Sequence, residues 1–228
     1  TVSQLQGKVG IAASPSMISR ILPPVIKEYH HNYPAIGLYL RDDSAGGLEQ
    51  RVLDNDVDFA LGGNHSNHPE LEYFPVLEDQ YGAVLQSNHP LASHTALIWD
   101  QILDLPKIQL TSDTGTRSQL SQVLAQVSRS GKNHLKQDEV LIEISTPAGL
   151  AELVKGGIGI ALLPALAAST EAFSNLHFTP LTEPVLKRTL YVIRRKGRSI
   201  SPAADSLLQL ILSSFNDTNL PPYVETST

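Results

Sequence analysis

Cysteine is absent from all 228 residues, and methionine and tryptophan occur once each. Without cysteine there are no disulfides, no thiolate metal sites and no cysteine nucleophile. Long apolar runs are missing too: nothing approaches the roughly 18 residues that a membrane span needs, and no basic stretch followed by an apolar one marks a secretory signal at the start. The expected compartment is the cytoplasm. Positive charge is also scarce, with 17 Lys and Arg against 23 Asp and Glu and a net charge of −6. Such a segment repels a phosphate backbone, because nucleic-acid affinity rests on clustered cations displacing counterions. Catalytic signatures are lacking as well. Gly-x-Ser-x-Gly, the phosphate loop and Gly-x-Gly-x-x-Gly do not occur, and Gly157-Ile158-Gly159 is too short to signal a dinucleotide site. The chain is therefore expected to be no enzyme and to hold no cofactor and no metal.

What is present is a 41% hydrophobic share, enough for a sizeable core, arranged in two similar series. Lys8–Ala13 reads as a strand stopping at Ser14-Pro15-Ser16, an N-cap followed by a first-turn proline. Ile18, Ile21, Leu22, Val25, Ile26 and Tyr29 then recur at helical spacing, with Pro23-Pro24 expected to kink or restart the helix. Strands are expected at Ile36–Leu40 and Val57–Leu61, with a helix between them ending near Asn55, and two further strands at Leu71–Leu77 and Tyr81–Leu85. The second series is a strand at Lys107–Leu110, a polar turn at Thr111–Thr116, a stripe at Leu120, Val123, Leu124 and Val127, and a strand at Val140–Ile144. A helix from Thr146-Pro147 to Val154 follows, then buried strand Ile160–Leu163. A strand at Leu190–Ile193 leads to Ser201-Pro202 and a last helix through Phe215, after which the chain reads as frayed. Alternating strands and helices imply α/β architecture, two doubly wound lobes with mainly parallel sheets.

In such sheets a ligand sits beyond the carboxyl ends of the strands. The turns expected there are 14–17, 62–65, 111–116, 145–147 and 163–165. Hydroxyls beside unpaired N–H groups at a helix start suit an anion, although a Ser or Thr in that position is ordinarily only a cap. His65 and His68 would need metal ligands from elsewhere. His30-His31 suits a helix end, Asp42-Asp43 reads as surface charge, and the basic run Arg194, Arg195, Lys196 and Arg198 reads as a solvated loop.

Several of these segments together resemble the regulatory half of LysR-type transcriptional regulators. They are Gly7-Lys-Val-Gly-Ile-Ala, Leu22-Pro23-Pro24, Tyr33-Pro34, Leu53-Asp-Asn-Asp-Val-Asp58-Phe-Ala-Leu61, His89-Pro90-Leu91-Ala92, Gly156-Gly-Ile-Gly159-Ile-Ala-Leu-Leu-Pro164 and Ser201-Pro202-Ala-Ala. The resemblance runs from about residue 7 to residue 215 and implies a type-2 periplasmic-binding-protein-like fold with two lobes, 7–80 plus 196–228 and 81–195, joined by two crossing strands. It implies an amino-terminal winged helix-turn-helix outside this chain, DNA contact only through that domain, no membrane contact, and a homodimer or tetramer of the full-length protein. It implies that a small-molecule effector, an anion or carboxylate, is clamped between the lobes and touches Ser14, Ser16, Met17, Thr111, Ser112, Ser145 and Thr146. The alternative on the same fold is the solute-binding receptor of a transporter. Thr114-Gly115-Thr116-Arg117-Ser118 further resembles the sulfur-assimilation branch, whose members sense sulfate or O-acetylserine-type metabolites. That branch tends to carry a glutamine in its first turn, where this chain has Ala13-Ser14-Pro15-Ser16-Met17.

Overall fold

A computed structural model describes residues 7–111, 120–127, 140–216 and 219–227. The chain divides into two compact units, residues 1–78, 189–220 and 225–228 in the first and residues 79–188 and 221–224 in the second.

In the first unit β1 (Gly7–Ala13) lies between β2 (Ile36–Asp42) and β3 (Phe59–Gly62), and all three run parallel. Next to β3 comes β10 (Lys187–Arg195), antiparallel, followed by β4 (Leu71–Gln86). Side chains alternate across this sheet as strand geometry requires. Ala12, Ala60 and Ile193 face α2 (Ala45–Leu53), packing on Leu48 and Val52. Toward α1 (Leu22–Asn32) and α6 (Pro202–Ser214), the two helices pack on each other, and the Tyr29 hydroxyl donates to the Ala203 carbonyl at 2.7 Å.

In the second unit the same β4 pairs antiparallel with β8 (Ala161–Pro164) on one side and β9 (Leu176–Thr182) on the other. The short β5 (Leu97–Ile98) runs parallel to β9, and β6 (Lys107–Leu110) runs parallel to β7 (Val140–Ile144). A bridge from Lys107 to Ile160 links β6 to the start of β8. Alternation again sorts the core. Tyr81, Ala83 and Leu85 meet Trp99, Ile102 and helical residues 120–127 (α3) on one face, while Val84 meets α4 (Pro147–Lys155) and Phe173 on the other.

The sheets are mixed where mainly parallel ones were expected, because β10 and the second half of β4 run against their neighbours. The expected pair of strands at 71–77 and 81–85 is one 16-residue strand. Its polar middle finds partners inside the fold: Asp79 binds Arg188 and the Leu166 N–H, Gln80 N–H donates to the Tyr223 carbonyl, and the Gln80 side chain donates to the Leu181 carbonyl. Both β4 and β10 pass from one unit to the other, after Glu78 and Arg188. The frayed end is corrected too: β11 (Val224–Thr226) pairs with β4, and Ser227 N–H reaches the Val76 carbonyl.

Pro23-Pro24 stand in the first turn of α1, which restarts at Leu22 after a separate helical segment, as expected of them. Lacking N–H groups, the prolines leave preceding carbonyls without donors, and the helix widens just before them into one π-helical turn, Met17–Ile21, closed by Leu22 N–H on the Met17 carbonyl. His30 and His31 do occupy the last turn of α1. Asp42 is exposed, as read, and Asp43 is partly exposed: its carboxylate takes the Ser44 N–H and pairs with Arg51 at 2.9 Å. Arg194 and Arg195 belong to β10 and not to a loop, Arg195 donating to the Leu53 carbonyl. Among the described residues no helix is long and apolar enough to cross a membrane.

Candidate functional site

Each unit presents its own cluster of turns where parallel strands end. In the first, β1 hands over to Ser14, whose N–H donates to the Leu61 carbonyl at the end of β3 at 2.9 Å. Ser14 also accepts the Ile18 N–H at 3.1 Å through its carbonyl, so Pro15 sits at the first helical position as its fixed φ favours. The Ser14 hydroxyl is 3.4 Å from that of Ser16. Ser16 is buried and Met17 fully so, which leaves Ser14 as the more accessible hydroxyl of the turn.

A second turn of this unit, at the end of β3, was noted in the sequence without any site residue being assigned to it. Glu49 on α2 is 3% exposed and accepts the Ser66 N–H at 2.9 Å, the Ser66 hydroxyl at 2.8 Å and the Tyr73 hydroxyl at 2.7 Å. Tyr73 in turn accepts the His68 N–H. Burial first, and then the hydrogen bond to Glu49, push the Tyr73 phenol up to about 12. This network fastens the loop 63–68. A methyl on Gly46 would lie 3.2 Å from the His65 ring, so the imidazole rests against the first turn of α2. A buried glutamate one position from Leu48 in a helical stripe gives no sequence signal, since only its burial reveals the role. Among the described residues no group of three His, Asp or Glu side chains is placed to hold a metal ion. His68 instead caps its own loop, its Nδ1 accepting the Glu70 N–H.

In the second unit β6 and β7 end side by side, Leu110 opposite Ile144. Thr111 N–H donates to the Ile144 carbonyl at 2.9 Å, which brings Thr111 beside Ser145. Ser145 and Thr146 are exposed. Thr146 caps α4, its Oγ1 accepting the Gly149 N–H at 3.2 Å and its carbonyl accepting from Leu150. An oxygen that accepts in this way keeps its own proton, so the capping hydroxyl still has a donor to offer. Ser112 and the segment Thr114–Ser118 lie outside the described residues. The structure thus brings Ser14 and Ser16 together in one unit and Thr111, Ser145 and Thr146 together in the other.

Residues 3–216 match the family model of the LysR substrate binding domain. The chain belongs to that family. It is similar to the uncharacterized HTH-type transcriptional regulator YbhD of Escherichia coli (strain K12), 29% identical over 93% of this chain and 65% of the relative. A LysR domain of this size therefore spans about two thirds of the length of the curated relatives it matches. Its fold is that of the effector binding domain of QuiR in complex with shikimate, with a TM-score of 0.75 at 18% identity, covering 92% of this chain and 97% of that one. The regulatory domain of CcmR from Synechocystis PCC6803 in complex with 2-PG gives 0.78 at 20% identity, covering 93% and 99%. These likenesses establish the type-2 periplasmic-binding-like architecture of the LysR domain.

Proposed function

We propose that this LysR domain senses a small anionic metabolite and reports its presence to a DNA-binding domain carried by the rest of a transcriptional regulator. The family match supports the sensing role, and the relative named as a transcriptional regulator supports the readout. The effector is held by Ser14, Ser16, Met17, Thr111, Ser112, Ser145 and Thr146, through hydroxyls and backbone N–H groups and without a salt bridge. The observation that carries this reading is the Thr146 cap, a hydroxyl committed as acceptor yet free as donor at the start of α4. Such a site tolerates negative charge because unpaired N–H groups and the helix dipole supply positive potential. The domain turns nothing over. It works in a homodimer or a tetramer, and the ligand acts by binding one arrangement of the full-length protein better than another.

Shikimate, named with QuiR, is a carboxylate, and an effector of that class fits the hydroxyl-rich turns. The narrower reading, a sensor of sulfate or an O-acetylserine-type metabolite, is supported by Thr114-Gly115-Thr116-Arg117-Ser118 and opposed by Met17 in the first turn. The receptor of a transporter, the alternative on this fold, has no support from the relatives.

Calorimetry of the 228-residue chain against shikimate, benzoate, sulfate and O-acetylserine tests the reading. Ser14→Ala and Thr111→Ala should each weaken whichever ligand binds by about tenfold, the size of one hydrogen bond to a charged group. Unchanged binding in both variants, with the fold intact, would remove the proposed site.

A further inference from the structure

The first unit contains a cavity of about 790 Å³ at the end of its sheet opposite to the turn at Ser14. Its wall is made by Lys8 and Gly10 of β1, Tyr39 of β2, residues 55–58 between α2 and β3, Arg195 of β10, and Arg198 to Ser201 leading into α6. These segments converge for a topological reason. Because β10 is antiparallel to β3, the chain leaving β10 begins α6 beside the amino ends of the parallel strands.

The floor of the cavity is backbone. A methyl on Gly10 would come to 3.3 Å from Val57 Cα and 3.4 Å from the Asp56 carbonyl, so glycine lets β1 and the 55–58 segment approach closely here. The two acidic groups of the lining are already engaged. Asp58 accepts the Gly10 N–H at 2.9 Å, and Asp56 pairs with Arg51. The cations are differently placed. Arg195 is fixed by the Leu53 carbonyl at 3.0 Å and by Asn55, with Glu70 at 3.7 Å. Lys8 lies over the Tyr39 ring at 5.1 Å, and among the described residues neither Lys8 nor Arg198 has an acidic partner. In a chain of net charge −6, three cations therefore face one cavity whose two acids are each held by another group, Asp56 by Arg51, which also holds Asp43, and Asp58 by the Gly10 N–H. Ser199 and Ser201 add hydroxyls on the same wall.

We propose that this cavity is a second ligand site of the domain, separate from the effector turns, and that it takes an organic phosphate. Arg and Lys donors lining one cavity match the several acceptor oxygens of a phosphate better than the single face of a carboxylate. The volume lies in the range of small-molecule pockets and far exceeds the needs of inorganic phosphate, so an organic body attached to the phosphate completes the fit. The effector turns, built from hydroxyls, and this cavity, built from cations, select different chemistry at the two ends of β1.

The test is calorimetry of the 228-residue chain at low salt with two probes, phenyl phosphate and inorganic phosphate. Phenyl phosphate should bind saturably and more tightly than inorganic phosphate. Lys8→Gln combined with Arg198→Gln should weaken it by at least about tenfold, in line with the loss of charge-assisted contacts. Both side chains are exposed, so circular dichroism should show an unchanged fold in the double variant. Ser14→Ala combined with Thr146→Ala, which tests the effector turns, should leave phenyl phosphate binding as it was. The proposal is overturned by an absence of saturable binding up to about 10 mM, a concentration at which contacts of millimolar strength register. It is equally overturned by parental affinity in the Lys8 and Arg198 double variant, or by inorganic phosphate binding as well as phenyl phosphate. Loss of binding in the Ser14 and Thr146 variant would place the probe at the effector turns, which removes this site and leaves the proposed function standing.

Discussion

Arg188 and Asp79 form a two-pronged ion pair between β10 and β4, Nε to Oδ1 and a terminal nitrogen to Oδ2, both at 2.9 Å. Asp79 is 1% exposed and its Oδ2 also accepts the Leu166 N–H at the start of the short helix Ala165–Ala168. The pair therefore ties together the two long strands and the turn that follows β8. Arg188→Ala strands a buried carboxylate, so it should destabilise the domain by about 3–5 kcal/mol. Urea unfolding followed by circular dichroism measures this. Replacing both partners together, Asp79→Asn with Arg188→Met, should cost less than Arg188→Ala alone, since no uncompensated charge is then buried.

Tyr73 makes the domain sensitive to alkali. Its phenol is raised to about 12 by burial and by the bond to Glu49, whereas in the unfolded chain it titrates near its ordinary value of about 10. A raised folded value means that the neutral form is favoured by folding. The contribution is fully present below about pH 10 and is lost as pH climbs toward 12. In Tyr73→Phe this part of the alkaline loss should vanish, and the phenolate absorbance step near pH 12 should lose one tyrosine. A parental profile in the variant would show that the Glu49 network does not carry the effect.

Gly157 and Gly159 flank Ile158 and should respond differently to alanine. A methyl on Gly159 would stand 2.7 Å from the Pro106 carbonyl oxygen, a backbone atom that cannot swing away because it already accepts the Ile160 N–H. Overpacking of that kind costs about 1–3 kcal/mol. At Gly157 the obstacle is a φ of +76°, with only the flexible Gln86 side chain nearby, and the cost is about 1 kcal/mol. Thermal denaturation should rank Gly159→Ala below Gly157→Ala.

Thr146 serves as helix cap and as proposed ligand donor, and the two roles separate by substitution. Thr146→Ala removes the acceptor for the Gly149 N–H and should cost about 1 kcal/mol of stability together with effector affinity. Thr146→Ser keeps both. If Thr146→Ala loses stability while a bound effector holds its affinity, the threonine is a cap and nothing more.

The sequence was legible wherever a local rule governs. The first-turn prolines at 15, 147 and 202 mark real helix starts, and the stripes at Leu48 and Val52 and at Leu207 and Ile211 are buried as their spacing requires. The hydroxyl turns at Ser14 and at Ser145-Thr146 do follow strands, because strand, cap and helix start are neighbours in the chain.

Partners distant in sequence decided everything else. Asp79 and Gln80 fell between two expected strands because their partners, Arg188, Leu166, Leu181 and Tyr223, lie far along the chain. The basic run Arg194–Arg198 read as a loop because neither Leu53 nor Glu70 is near it in sequence. Glu49 carried no signal in the sequence, and only the fold shows it buried under Ser66 and Tyr73. Residue order by itself determined the alternation of strands and helices and the hydroxyls at their junctions, since propensity, capping and periodicity act over a few residues. Only the tertiary structure decided which strands reverse, which charges are buried and where cations gather, because burial and ion pairing depend on groups that the chain brings together after it has folded.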